Sequence, residues 1–377
     1  MKLYEHEAAQ IFGEMGLPVP ERVVVYSPEE AKAAAEKIGA PVVIKAQVLA
    51  GSRGLAGGVK AAETPEEAFT VASRIIGMSI QGITVEKVLV TRKVSFQKEL
   101  YMGITVDGYK GQPVVMVSSE GGMSIEEVAR RFPEKIGTRH IPLNRGLMAF
   151  EARKLVKDAG FPARQIGACA DIMVKLYQIF LRCNALIAEI NPLVILQDGT
   201  LMAIDAKLEM DDSALKRLGK LVPKDHVRNE TPMEKKGREI GVTYVELDGD
   251  IGMIASGAGL GMATMDIIGK KLRPANFLET GGGITEELLY KTMDLMMMKK
   301  GLRAIFINLY GGINPIHEGA KGIVRYIGEK GVKIPIVAKA LGNRQEETWK
   351  ILRSGGVHVV EEVPTEKAVA KLFEVLS

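Results

Sequence analysis

Over its last third the chain alternates short β-branched runs with amphipathic helical stretches. The runs are Ile251–Ala255, Ala275–Leu278, Ala304–Leu309, Ile334–Ala338 and Val357–Val360, and each is followed by ten or more residues of helical periodicity. Alternation of this kind predicts a parallel sheet covered by helices, here a five-stranded doubly wound domain. Glycines fall directly after the strands, at Gly257 and Gly259, Gly281 to Gly283, Gly311 and Gly312, and Gly342, where chain meets helix N-terminus. Ligands bind at that edge of open α/β sheets.

The first 210 residues read as α+β. A helix over 3–15 precedes a strand at Val23–Tyr26, and Ser27-Pro28-Glu29-Glu30 opens a helix running to about Ile38, with Thr64-Pro65-Glu66-Glu67 opening the next. Between them a strand at Val42–Val48 enters the loop Gly51-Ser52-Arg53-Gly54-Leu55-Ala56-Gly57-Gly58, too glycine-rich for regular structure and carrying a cation at its centre. Leu100–Val106 and Val114–Ser118 flank Asp107-Gly108, and Ala185–Leu196 and Leu201–Leu208 flank Asp198-Gly199, so both pairs read as antiparallel hairpins. Lys216–Arg238, charged and interrupted by Pro223 and Pro232, reads as the connection between the two halves.

Composition removes several classes. Of 377 residues 46% are hydrophobic and 25% charged, which excludes a disordered or fibrous chain. Lys+Arg 50 against Asp+Glu 46 leaves +4, too little for a dedicated nucleic-acid binder and compatible with a protein that handles anionic small molecules. Cys169 and Cys183 lie in an apolar helical stretch and read as core residues of a reducing compartment. No run approaches the ~18 apolar residues of a membrane span, so the expectation is a soluble, cytoplasmic protein without membrane or nucleic-acid partners.

The residues best suited to chemistry are Glu189, Asn191 and Asp205 on the second hairpin, since carboxylate and amide oxygens on adjacent strands suit Mg²⁺ that also holds a nucleotide phosphate. A two-residue Asp198-Gly199 turn would pair Asn191 with Ala206 and send Asp205 to the other face. A three-residue loop, Gln197 to Gly199, would pair Asn191 with Asp205 and place all three on one face. The glycine-rich loop and Arg53 can cover phosphates, although no Gly-Lys-Ser/Thr ending makes it a Walker A loop. Lys45, in an otherwise apolar strand, needs a counter-anion, and a nucleotide phosphate would serve.

Six ordered stretches carry a resemblance spanning almost the full length: Lys45-Ala46-Gln47-Val48 with Gly51-Ser52-Arg53-Gly54, Lys98-Glu99-Leu100-Tyr101, Ser119-Glu120-Gly121-Gly122, Glu189-Ile190-Asn191-Pro192-Leu193-Val194, Gly257-Ala258-Gly259-Leu260 with Thr264-Met265-Asp266-Ile267, and Gly281-Gly282-Gly283. In these the chain resembles the β subunits of succinyl-CoA synthetase (succinate–CoA ligase, nucleoside-diphosphate-forming). The resemblance implies an ATP-grasp domain at about 1–237 followed by a flavodoxin-like, doubly wound CoA-ligase domain at about 238–377. It also implies Mg²⁺, ATP or GTP as substrate, a small carboxylic acid that becomes a CoA thioester, and a partner α subunit that carries the CoA site and a phosphohistidine. By the same resemblance Lys45, Ser52, Arg53, Gly54 and Glu99 contact the nucleotide, Asn191 and Asp205 hold magnesium, and Glu189 steadies the phosphohistidine. Ser256, Gly312, Ile313 and Asn314 form the acid site.

The departures bear on specificity. Leu55 and Thr91 stand where the family usually has Lys and Glu, Ser256 replaces Asn, Pro315 replaces Arg, and His317 replaces Asp and reads as a polar helix-start residue near the α-subunit interface. Ligases for malate, citrate or other acyl groups are the neighbouring alternatives. A catalytically silent regulatory subunit would explain Leu55, Thr91 and Ser256 but not the retention of Lys45, Arg53, Glu99, Glu189, Asn191 and Asp205.

Overall fold

The computed structural model describes residues 1–50, 53–223 and 230–376. The chain divides into two compact units, Met1–Arg228 and Asn229–Ser377. Among the described residues no helix is long and apolar enough to cross a membrane.

The first unit contains two main antiparallel sheets and a two-stranded pair, Ser79–Ile80 with Ile83–Thr84. The smaller main sheet has the order Arg22–Val25, Val88–Arg92, Val42–Ala46, Val59–Ala62. Helices Pro28–Ile38 and Pro65–Ile75 cover it, and both start as their sequences require: Ser27 accepts from the Glu30 N–H and Thr64 from the Glu67 N–H, each at 3.2 Å. Ala31, Ala35, Ala68 and Ala72 are fully buried, and such small side chains let the two helices lie close on the sheet. The larger sheet has the order Leu201–Ala203, Ala185–Leu196, Phe96–Asp107, Gln112–Ser118, Ile136–His140, with Lys207–Met210 continuing along the Ala185–Leu196 strand. Its core takes in Ala8, Ala9 and Phe12 from helix Glu5–Glu14 and both cysteines, Cys169 from helix Ile166–Arg182 and Cys183 just beyond it. Both expected hairpins form.

The second unit is a doubly wound sheet with the order Thr243–Glu246, Asn276–Glu279, Ile251–Ala255, Ala304–Gly311, Ile336–Gly342, His358–Val360. The last five are parallel, as the alternation predicted. Thr243–Glu246 is an additional antiparallel edge strand that the pattern did not reveal; it is four residues long with one buried side chain, Tyr244, so it carries almost no apolar signal. The stretch taken as a plain connection also holds a helix, Pro232–Ile240. Thr231 and the Glu234 side chain cap it reciprocally, and Met233 enters the core of the second unit. Only Met233 and Gly237 of that helix are buried, a stripe too narrow to register as periodicity.

Chain order reverses between Ile251–Ala255 and Ala304–Gly311, so their carboxyl ends flank a topological switch point. Helix Ile316–Lys330, which starts there, is held tightly against helix Glu286–Met297, where a Cβ on Gly322 would sit 2.0 Å from the Glu286 carbonyl oxygen. Gly322→Ala is therefore expected to destabilise the second unit by about 1–3 kcal/mol, read as a lower urea midpoint. Gly328→Ala, on the same helix where a Cβ meets open space, should leave the midpoint unchanged or raise it.

Candidate functional site

A cavity of about 900 Å³ opens in the first unit, and Lys45, Arg53, Gly54, Glu99, Glu189, Asn191 and Asp205 all line it. Ser52 lies outside the described residues. These positions come from the small sheet, the glycine-rich loop, two strands of the large sheet, Phe96–Asp107 and Ala185–Leu196, and the link between Leu201–Ala203 and Lys207–Met210. Chain folding therefore brings together what the sequence spreads over 160 residues.

The counter-anion that burial of Lys45 requires is present as a protein side chain, Glu5, where the sequence had offered a nucleotide phosphate. Lys45 Nζ lies 2.8 Å from Glu5 Oε1 and donates to the Ile204 carbonyl at 2.6 Å. Arg53 places NH1 2.9 Å from Glu5 Oε2 and 3.0 Å from the Ala46 carbonyl, with NH2 3.6 Å from Asp205 Oδ1. Burial alone would push the Glu5 carboxyl up, but Lys45 and Arg53 outweigh it and hold it below the usual carboxylate range. The same contacts keep Lys45 above the ordinary lysine range although burial opposes its charge. Sequence reading missed Glu5, yet a signal was there. Glu5, Ala8, Ala9 and Phe12 share one helix face, and a carboxylate on an otherwise apolar, buried face must have a partner.

The second hairpin adopts the three-residue loop. Ile195 pairs with Leu201 and Leu193 with Ala203, Gly199 takes φ +84°, and further along Glu189 pairs with Lys207 in the same register. Between those ladders the strands part, and Asn191 faces Asp205. Asn191 Oδ1 accepts from the Gly122 N–H at 3.0 Å while Nδ2 donates to the Met123 carbonyl at 2.9 Å, so the amide is oriented by the loop that covers it. Asp205, about a third exposed, accepts from the Ala206 N–H at 2.7 Å. Burial and the nearby Glu5 push its carboxyl up to about 6, against the opposing pull of Lys45 and Arg53. Among the described residues no group of three or more His, Cys, Asp or Glu forms an all-protein metal cage. One amide and one carboxylate oxygen fit Mg²⁺, which is usually shared between one or two protein oxygens and substrate phosphates.

Glu189 Oε2 lies 3.4 Å from Lys207 Nζ, and Oε1 accepts from Asn191 Nδ2 at 3.5 Å. Its cross-strand neighbour is Gly103, over which the Tyr101 ring folds; a Cβ at Gly103 would stand 2.3 Å from the Tyr101 hydroxyl. Thr91 is buried and donates to the Glu21 carbonyl at 3.0 Å, and Leu55 is 94% exposed at the loop tip.

In the second unit, Ser256 bridges the switch point: its hydroxyl accepts from the Tyr310 N–H at 2.8 Å and donates to the Tyr310 carbonyl at 3.1 Å. Gly312, Ile313 and Asn314 form the turn before helix Ile316–Lys330, and the Ile313 side chain stands in solvent. This turn is clasped by the neighbouring one. Asn343 N–H donates to the Gly311 carbonyl at 2.7 Å, and Gly342, at φ +115°, would drive a Cβ to 2.3 Å from the same oxygen. Helices Ala258–Gly269 and Ile316–Lys330 both begin there without a side-chain cap, leaving N–H groups for an anion. Asn308 pins the first of them by donating to Thr264 Oγ1 at 2.8 Å. His317 is not a surface residue. It is buried, with Nε2 2.8 Å from Arg344 NH1 and 3.1 Å from Glu318 Oε1, and Nδ1 has no partner among the described residues.

Residues 2–195 match the family model described as ATP-grasp domain, and residues 254–373 the one described as CoA-ligase. A GDP-forming succinate–CoA ligase subunit β from Thermus thermophilus is 43% identical over 372 residues, covering 98% of this chain and 97% of its own. An ADP-forming counterpart from Roseiflexus sp. (strain RS-1) is 43% identical over 356 residues, 93% of each chain. Among solved structures, an ATP citrate lyase from Methanothrix soehngenii in complex with citrate and coenzyme A aligns over 99% of both chains with a TM-score of 0.77 at 19% identity, a likeness of fold.

The loop over Glu99 offers a direct check of the geometry. A Cβ on Gly121 would lie 2.5 Å from the Leu100 carbonyl oxygen, a backbone atom that cannot yield, and Gly121→Ala is expected to cost about 1–3 kcal/mol. A Cβ on Gly122, at φ +76°, meets the movable Glu99 carboxylate at 2.3 Å, so Gly122→Ala should cost about 1–2 kcal/mol of left-handed strain and displace Glu99 from its place. Urea midpoints and crystal structures of the two variants test both expectations.

Proposed function

Because this chain belongs to the family of succinate–CoA ligase β subunits, we propose that its first-unit cavity seats the polyphosphate of the substrate nucleotide and that the carboxyl edge of its second-unit sheet receives the acid. The protein is a subunit of a nucleotide-dependent acid–CoA ligase, works with Mg²⁺ and ATP or GTP, and has an α subunit as partner. The named relatives include both GDP-forming and ADP-forming enzymes.

In this reading Lys45 and Arg53 neutralise phosphate oxygens, Ser52 and Gly54 offer backbone N–H groups, and Glu99 takes hydrogen bonds from the nucleoside. Asn191 and Asp205 hold Mg²⁺, which when bound adds positive charge to the phosphates in transfer. The γ-phosphoryl passes to an imidazole nitrogen of the partner's histidine as the nucleoside diphosphate leaves. Glu189, steadied by Lys207 and Asn191, accepts the N–H on the other side of that ring. Phosphoryl transfer depends on positioning and charge neutralisation more than on covalent help from the enzyme, and this set of groups supplies both.

At the second site the phosphoryl passes from histidine to a carboxylate oxygen of the acid, and the CoA thiol then displaces phosphate to give the thioester. Gly312, Ile313 and Asn314 present backbone N–H groups at an uncapped helix start, and Ser256 fixes the facing strand end. Pro315 contributes no charge there, so recognition of the acid rests on backbone donors. We therefore name the substrate as a small carboxylic acid, with succinate as the first member of the panel to test.

The observation that carries this reading is the three-residue register, which sets Asn191 opposite Asp205 on the cavity that Lys45 and Arg53 line. With γ-labelled ATP, Mg²⁺ and the co-purified α subunit, acid-labile phosphate should appear on the partner and be consumed on addition of acid and CoA. Asn191→Ala and Asp205→Ala should each slow that labelling on the order of 10²-fold. Unchanged labelling in both would remove them from the metal site, and no label in the wild type would point to a silent nucleotide-binding subunit.

A further inference from the structure

We propose that Glu5 is a positioning residue for the nucleotide phosphates, its buried carboxylate setting Lys45 and Arg53 side by side on the cavity wall; this rests on the nucleotide reading of that cavity. Each carboxylate oxygen holds one cation, Oε1 on Lys45 Nζ at 2.8 Å and Oε2 on Arg53 NH1 at 2.9 Å. Glu5 is 6% exposed, and its helix is anchored in the large core through Ala8, Ala9 and Phe12. The carboxylate is therefore a fixed point and the cations are referred to it.

Two like charges brought together at low dielectric repel strongly, and the anion between them offsets that repulsion. Arg53 is followed by Gly54, Leu55 and Ala56, all exposed, so that stretch of chain does little by itself to hold the guanidinium. Glu5 and the Ala46 carbonyl engage NH1, which leaves other N–H groups of the fork for a ligand. Gln47 completes the arrangement. Its Nε2 lies 3.5 Å from Glu5 Oε2 and donates to the carbonyls of Lys45 and Ala46 at 3.2 Å, while its Oε1 accepts from the His6 N–H at 3.1 Å.

The test measures Mg–ATP binding to the full chain by calorimetry and steady-state parameters in the complex with its α subunit. Glu5→Asp keeps the charge but is one methylene short of spanning both cations. It should raise Kd and KM for Mg–ATP about tenfold and leave kcat and the KM for CoA within about twofold. Glu5→Gln should raise them further. Combining Glu5→Asp with Arg53→Gln should give less than the sum of the two separate losses, since the part of the Glu5 effect that runs through Arg53 is then counted only once. Where Glu5→Gln fails to fold, Glu5→Asp decides. Unchanged Mg–ATP affinity in Glu5→Asp, or equal losses for Mg–ATP and CoA, overturns the inference while leaving the nucleotide reading intact. A wild-type chain that binds no Mg–ATP overturns both.

Discussion

The carboxylate of Glu5, shared by the buried Lys45 and the half-buried Arg53, is the contact on which the first unit's cavity depends. A lysine taken out of water by itself tends to lose its proton, and a carboxylate in the same setting tends to gain one. Placed together with Arg53, all three remain charged. The cluster ties the N-terminal helix to the small sheet through Lys45, to the glycine-rich loop through Arg53, and to the hairpin of the large sheet through the Ile204 carbonyl and Asp205. Removing one member of such a group leaves an uncompensated charge and costs on the order of 3–5 kcal/mol. The polar floor of the cavity is thus also a fastening between the unit's two main sheets.

Much of this arrangement was legible in the chain. Ser27 and Thr64 cap helices because a hydroxyl three residues before a glutamate N–H has a short route to it, and local rules of that kind survive folding. The five parallel strands announced themselves because short apolar runs alternate with helical periodicity, and three of them, Ile251–Ala255, Ala304–Gly311 and Ile336–Gly342, are buried along nearly their whole length. Glu189, Asn191 and Asp205 were identifiable as a set, but their coming together turned on a choice between two loop lengths that the amino-acid string left open, and Gly199 in the left-handed region decided it. What stayed hidden was held by distance in sequence or by weak patterning. Glu5 meets Lys45 across 40 residues, and Lys45 meets Ile204 across 159. The edge strand Thr243–Glu246 and the helix Pro232–Ile240 bury too little to leave a period.

The second unit builds its candidate site by a different principle. Where the first unit relies on charged side chains, the switch point relies on backbone: two helix starts without caps, the clasp between Gly311 and Asn343, and one serine hydroxyl joining adjacent strand ends. Backbone donors distinguish one carboxylate from another poorly, since they read charge and little else. In the proposed reading, discrimination among acids falls to side chains at that edge, Ser256, the exposed Ile313 and Asn314 among them, with Asn343 donating to the Ile313 carbonyl from the neighbouring turn.

The bend at Gln197–Gly199 makes the hairpin unequally tolerant of changes in length. A surface turn of this kind ordinarily accepts insertions, and an added residue here can bulge outward while Ile195 and Leu201 stay paired. Trimming is more tightly bounded. One residue fewer leaves a two-residue turn, the shortest common loop between antiparallel strands, with Ile195 still opposite Leu201. A further deletion would force the chain beyond the turn to slide, and in a structure of period two a one-residue slide carries a side chain to the opposite side of the sheet. An engineer seeking a site for an inserted peptide has far more room to lengthen this bend than to trim it.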